Sequence, residues 1–105
     1  MINSRQKGAA GERELANYLK ERGHEARRGQ QFSGGTESPD VVCATLPGYH
    51  LEVKRVEAGN LYKWMHQAEN DAGWEKVPVV AHRKNREGWV VILRLDDFLN
   101  LVEKS

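Results

Sequence analysis

The feature that most restricts how this chain can fold is a pair of strand-like runs, Asp40–Thr45 and Tyr49–Val56, separated by Leu46-Pro47-Gly48. Apolar and β-branched residues dominate the first run and alternate with charges in the second, and Pro-Gly between them is turn chemistry. The two runs read as one β-hairpin. With Thr45 paired to Tyr49 by the turn, Val42 faces Glu52 and Asp40 faces Lys54. Side chains alternate along a strand, so Asp40, Glu52 and Lys54 share one face, and Val41, Cys43, Leu51 and Val53 share the other, the core face. Diagonal neighbours on such a pair lie roughly 7–8 Å apart at their Cα atoms, which lets two carboxylates reach one divalent cation. A slip of one residue would separate Asp40 from Glu52. The same charged face also suits a half-solvated strand carrying ordinary cross-strand pairs.

The segments around the hairpin have their own periods. Ser4 to about Arg22 reads as a helix closed by Gly23. Its stripe is Leu15, Tyr18 and Leu19, extended toward the N-terminus by Gly8, Ala9 and Gly11. A glycine inside a helix costs about 1 kcal/mol relative to alanine, so Gly8 and Gly11 point to close approach of another backbone or a ligand. Residues 24–28 read as a short strand and Gly29 to Ser38 as a mobile loop. Asn60 can cap a helix from Leu61 to Ala72, ended by Gly73, with Leu61, Trp64, Met65, Ala68 and Ala72 as its stripe. Val77–Ala81 and Trp89–Leu93 read as strands joined by the basic turn Arg83–Gly88, and a last helix runs from Asp96 to Val102. The order α-β-β-β-α-β-β-α implies an α/β or α+β fold with helices over a mixed sheet.

With 105 residues, 39% of them hydrophobic and 30% charged, the chain suits one globular domain spanning residues 1–105. Its apolar runs fall short of the roughly 20 residues that a membrane helix needs, and residues 1–5 lack an apolar signal region, so a cytoplasmic location is expected. The lone Cys43 excludes an internal disulfide and reads as a small core residue. The net charge of +1 says little about partners. Its distribution says more: Arg5, Lys7, Arg13, Lys20, Arg22, Arg27 and Arg28 crowd the first thirty residues, a second cluster is Arg83-Lys84-Asn85-Arg86, and the tail leans acidic. Basic clusters of this kind are either phosphate-binding or simply solvated.

Glu12 falls in the helical row Gly8, Glu12, Leu15, Leu19. A carboxylate in an apolar row is either an edge residue reaching water or one that is paired or metal-bound. Gln67 lies on the polar flank of the second helix, one turn from Lys63 and Asp71. His24, His50, His66 and His82 lack partners at metal-ligand spacing and read as surface or core histidines. Trp64 reads as core or interface, and Trp74 and Trp89 as packed at the ends of elements. No nucleophile elbow or phosphate-binding glycine loop is present, which removes support for esterase-type and nucleotide-triphosphate readings.

Several stretches taken together, Gly8-Ala9-Ala10-Gly11-Glu12-Arg13-Glu14-Leu15, Arg27-Arg28, Phe32-Ser33-Gly34-Gly35, Pro39-Asp40-Val41, Glu52-Val53-Lys54 and Gln67-Ala68, resemble the PD-(D/E)XK nuclease superfamily. Within it, the chain resembles archaeal-type Holliday-junction resolvases and related phage endonucleases. The resemblance spans about residues 5–82 and implies a restriction-endonuclease-like core. It implies a DNA endonuclease with Asp40, Glu52 and Glu12 as ligands to Mg2+, which Mn2+ can replace. Lys54 is then expected to position or activate water, Gln67 to support the site, and Ser33 to act close to the scissile phosphate. Arg13, Arg27, Arg28 and Lys7 are expected to bind DNA phosphates. Branched or junction DNA is the implied substrate, and a homodimer the implied assembly, since two strands must be cut and one small chain carries one site. The loop Gly29–Phe32 is longer than the pattern, and the C-terminal half matches less closely. Three alternatives stand beside this reading: a phage-type nuclease acting on duplex or flap DNA, a DNA-binding module of the same fold that does not cut, and a structural or regulatory α/β domain with no nucleic-acid role. The second needs a missing ligand, whereas Glu12, Asp40, Glu52 and Lys54 are all present.

Overall fold

Helix α1 (Ser4–Glu21) stops where the sequence supplies a residue for the left-handed region. Gly23 has φ +91°, and the N–H groups of Gly23 and His24 donate to the carbonyls of Lys20 and Leu19 at 3.0 Å each. The structure, a computed structural model, describes residues 4–29 and 40–104, with the backbone alone for residues 4–7. The loop expected from Gly29 to Ser38 lies, after its first residue, outside the described residues. After α1 come β1 (Ala26–Arg28), β2 (Val41–Cys43), β3 (Tyr49–Arg55), α2 (Leu61–Ala72), β4 (Val77–Arg83), β5 (Val90–Ile92) and α3 (Leu95–Glu103). The α-β-β-β-α-β-β-α order expected from the sequence is the order found, and the fold is α+β.

The five strands form one mixed sheet in the order β1-β2-β3-β4-β5. Every neighbouring pair is antiparallel except β3 and β4, which α2 connects and which run parallel from Tyr49↔Val77 to Arg55↔Arg83. The alternation of β3 sorts the interior into two layers. Leu51 joins Leu15 and Ala16 of α1 with Val41, Cys43, Val79 and Ala81, and Val53 packs against that group. On the opposite face, Val80 packs with Met65 and Ala68 of α2. Asn60 caps α2 as expected, its Oδ1 accepting from the Lys63 N–H at 3.1 Å.

The hairpin pairs differently from expectation. Val41 lies opposite Leu51, a shift of two residues from the Val42–Glu52 pairing. The reason is the connection. Thr45 leaves the ladder, its hydroxyl engaged by His24 Nδ1 at 2.7 Å and Cys43 Sγ at 3.2 Å, and the link widens to residues 44–48. An even shift preserves facing, so Asp40 keeps the parity of Glu52.

Other expectations need correction. Ala16 is buried in α1 where Tyr18 is exposed, so the helix is rotated toward Gly11, Glu12, Leu15 and Ala16. Trp74 is 92% exposed instead of packed, because it follows the Gly73 terminus of α2 outward. Gly8 has open space where a side chain would stand, but Gly11 does not: a Cβ there would lie 2.6 Å from Arg55 Cβ. Helix α1 thus crosses β3 at backbone distance. Gly11→Ala should lower stability by about 1–3 kcal/mol through that overlap, read as a fall in the thermal midpoint. Gly8→Ala, relieved of helix entropy only, should raise it slightly.

Candidate active site

Strand β3 places His50, Glu52 and Lys54 on the α2-covered face, since Glu52 sits beside Val80 and Lys54 beside His82 in the parallel register. Glu52 is 2% exposed. Its Oε1 is hydrogen-bonded with His50 Nε2 at 3.0 Å. Burial pushes its carboxyl up to about 7, and the nearby charge of Asp40 and a hydrogen bond with Asp71 push the same way against the His50 contact.

Asp40 stands immediately before β2. Its N–H donates to Leu51 O at 3.0 Å, and its Oδ2 accepts from the Val53 N–H at 2.8 Å. The strand that carries Glu52 therefore also orients Asp40. Glu12 arrives from α1 and is 7% exposed. Its Oε1 accepts from Nε and Nη2 of Arg28, each at 3.1 Å. Burial, then the charge of Asp40, raises the Glu12 carboxyl above the usual range despite Arg28 and Arg13. Of the three expected acidic residues, Asp40 thus acts electrostatically on both glutamates, Glu12 from α1 and Glu52 from β3.

Lys54 Nζ donates to Gln67 Oε1 at 2.9 Å. A neutral amide holds the ammonium in place without cancelling its charge. Arg28 serves first as the partner of Glu12, while Arg27 and Arg13 are exposed, Arg27 reaching the Arg28 carbonyl at 3.3 Å. Ser33 and the Lys7 side chain lie outside the described residues. Beside the site, Glu14 of α1 accepts from Arg55 at 2.9 Å and from Arg83, tying α1 across β3 and β4.

The sequence reading missed His50 and Asp71. His50 is a core histidine, 1% exposed, as expected, but it does have partners. Ligand atoms of His50, Glu52 and Asp71 lie within 4.8 Å of one another. The available signal was the two-residue spacing of His50 and Glu52 on one strand face. The place of Asp71, one turn beyond Gln67, depends on how α2 docks.

The donor set suits a hard divalent cation. Burial first, and then the charge of Asp40, raises the proton affinity of Glu12 and Glu52, and a cation that takes oxygen ligands relieves the same repulsion. A family model, that of the archaeal Holliday junction resolvase (Hjc), matches residues 3–102. The chain belongs to the archaeal Holliday junction resolvase family. That family is one of nucleases that hydrolyse DNA, and membership implies junction binding and divalent-metal use. Among solved structures, the Holliday junction resolvase Hjc of Archaeoglobus fulgidus superposes with a TM-score of 0.53 at 23% identity, over 83% of this chain and 72% of that one. The likeness bears out the nuclease fold, including the order of strands and helices. No curated protein matches the chain significantly. Among the described residues, no helix is long and apolar enough to cross a membrane.

Proposed function

We propose that the chain is a Mg2+-dependent endonuclease that cuts four-way DNA junctions as a homodimer, with Mn2+ able to replace Mg2+. The observation that carries this reading is that the charge of Asp40 acts on both Glu12 and Glu52, with Lys54 on the same face of β3 as Glu52. Asp40 and Glu52 are the proposed metal ligands, and Glu12 completes the acidic site from α1. When bound there, the ion supplies charge neutralisation at the phosphate and a lowered pKa for water. Lys54, held by Gln67, offers a fixed positive charge to the developing negative charge of the transition state. Arg13 and Arg27 contact backbone phosphates near the cut, which positions DNA without reading sequence. The buried ladder of β3 keeps Glu52 and Lys54 in fixed relative orientation.

The test is digestion of a four-way junction, a flap and a linear duplex, with Mg2+ and with chelator. The reading expects symmetric cuts in the junction that need the metal. Equal rates on all three substrates would leave a nuclease without junction preference, and cutting in chelator would remove the metal from the mechanism.

The dimer is supported by apolar surface at the end of the chain. Val90 and Val91 of β5 and Leu95, Phe98 and Val102 of α3 are exposed, beside an apolar groove of about 450 Å3 lined by Leu19, Leu46, Leu93 and Leu101. Patches of this kind are a normal seat for a second copy. The pair Val91→Lys and Val102→Lys should convert a dimer to a monomer in light scattering and lower paired cutting of junctions. A monomeric parent protein at micromolar concentration would count against the dimer.

A further inference from the structure

Each of the three carboxylates has a hydrogen-bonding partner of a different chemical kind. Asp40 Oδ2 takes the Val53 N–H, Glu12 Oε1 takes the Arg28 guanidinium, and Glu52 Oε1 takes His50 Nε2. The first donor is backbone and the second belongs to a permanent cation. The third is an imidazole that is 1% exposed, placed on a sheet face otherwise packed with Val80, Met65 and Ala68. A leucine would suit that layer at no polar cost, whereas a buried imidazole without a partner costs roughly 1–3 kcal/mol. An ionised carboxylate only accepts, so against ionised Glu52 the His50 Nε2 carries the hydrogen and donates.

We propose that His50 is a positioning residue for the metal centre: its Nε2–H holds Glu52 Oε1 and so fixes the orientation in which Glu52 meets a cation shared with Asp40. This rests on the reading of Asp40 and Glu52 as metal ligands. The alternative orientation has a definite driving force. Asp71 of α2 sits in the same cluster, within 4.8 Å of both His50 and Glu52 ligand atoms, and shares a hydrogen bond with Glu52. With the His50 donor removed, Glu52 is left to that contact with Asp71, and a cation must then work against it to restore the first orientation. Carboxylates that ligate metals commonly depend on such supporting hydrogen bonds, whose loss weakens the metal by roughly 10–100-fold.

The experiment is a titration of the full chain with Mn2+ in the absence of DNA, following free Mn2+ by electron paramagnetic resonance. His50→Leu keeps the apolar packing and removes the donor. His50→Gln sets an amide N–H near the place of Nε2, and His50→Asn sets one too short to reach Glu52. Expected are Mn2+ affinities on the order of 10–100-fold below the parent for His50→Leu and His50→Asn, with His50→Gln recovering most of the loss. Junction affinity in chelator should be the same in all of them. A His50→Leu protein that binds Mn2+ like the parent overturns the proposal, as does a His50→Gln protein no better than His50→Asn, which would assign the effect to ring packing. Should His50→Leu fail to fold, the Gln and Asn pair decides alone. Asp40→Asn in the same titration separates the two ideas. If it leaves Mn2+ binding intact, the metal-site reading fails. If it abolishes binding while the His50 variants do not alter it, only the role of His50 fails.

Discussion

Asp40→Asn and Glu52→Gln should each slow junction cleavage on the order of 10^3-fold while leaving junction binding in chelator unchanged. Both substitutions keep shape and hydrogen-bond acceptors. The amide in Asp40→Asn retains an oxygen for the Val53 N–H, and the amide in Glu52→Gln retains one for His50. What each removes is a negative charge from a cluster in which Asp40 acts on both glutamates. A purely structural role for the cluster predicts that the variants lose stability. Its proposed catalytic role predicts the reverse near neutral pH, because Glu52→Gln removes a buried charge and Asp40→Asn the half-buried one that repels it. Initial rates on a four-way junction, paired with thermal midpoints in chelator, distinguish the two. Variants that cut within about tenfold of the parent would show that the charge does not carry the chemistry.

Stability of the metal-free protein should fall as pH rises from about 4.5 to about 7, opposite to the usual trend for carboxylates. The folded Glu52 carboxyl is raised to about 7 from an ordinary 4.5. Between those values the folded chain still holds the proton and the unfolded chain has released it. The folded state therefore binds more protons across that window, and its stability declines until Glu52 ionises in both states. At about 1.4 kcal/mol for each tenfold difference in proton affinity, the loss is at most on the order of 3 kcal/mol. Glu12, also raised, adds to it with the same sign. A divalent ion needs the ionised form. Millimolar Mg2+ should therefore raise the thermal midpoint strongly above about pH 7 and hardly at all near pH 5, and cleavage should rise through about pH 7. Glu52→Gln removes the main titrating group, and its midpoint should vary less with pH in chelator. A parent and variant with parallel pH profiles would rule out Glu52 as the source.

Local patterns in the sequence made the acidic face of β3 legible. Glu52 and Lys54 alternate with Leu51 and Val53, and the strand period alone assigns them opposite faces. Gly11 announced a close crossing, and Arg55 Cβ is what crosses it. The pairing of the hairpin was harder, because the register depends on Thr45 leaving the ladder for His24, a contact across 21 residues. Gly8 and Tyr18 misled because helical spacing fixes a stripe only to within part of a turn, and a glycine leaves no mark of which side packs. The Arg28–Glu12 contact and the arrival of Asp71 beside His50 and Glu52 had no local pattern to reveal them.

By itself, then, the chain determined its elements, the order in which they run, and which residues of each strand face the same way. These follow from periods of two and 3.6 residues, which are properties of short segments. Only the tertiary structure decided that Asp40 before β2 acts on both Glu12 of α1 and Glu52 of β3, that Arg28 answers Glu12, and that a histidine is buried against Glu52. Those meetings are set by how helices dock on the two faces of the sheet, and docking is governed by burial summed over residues far apart in the chain.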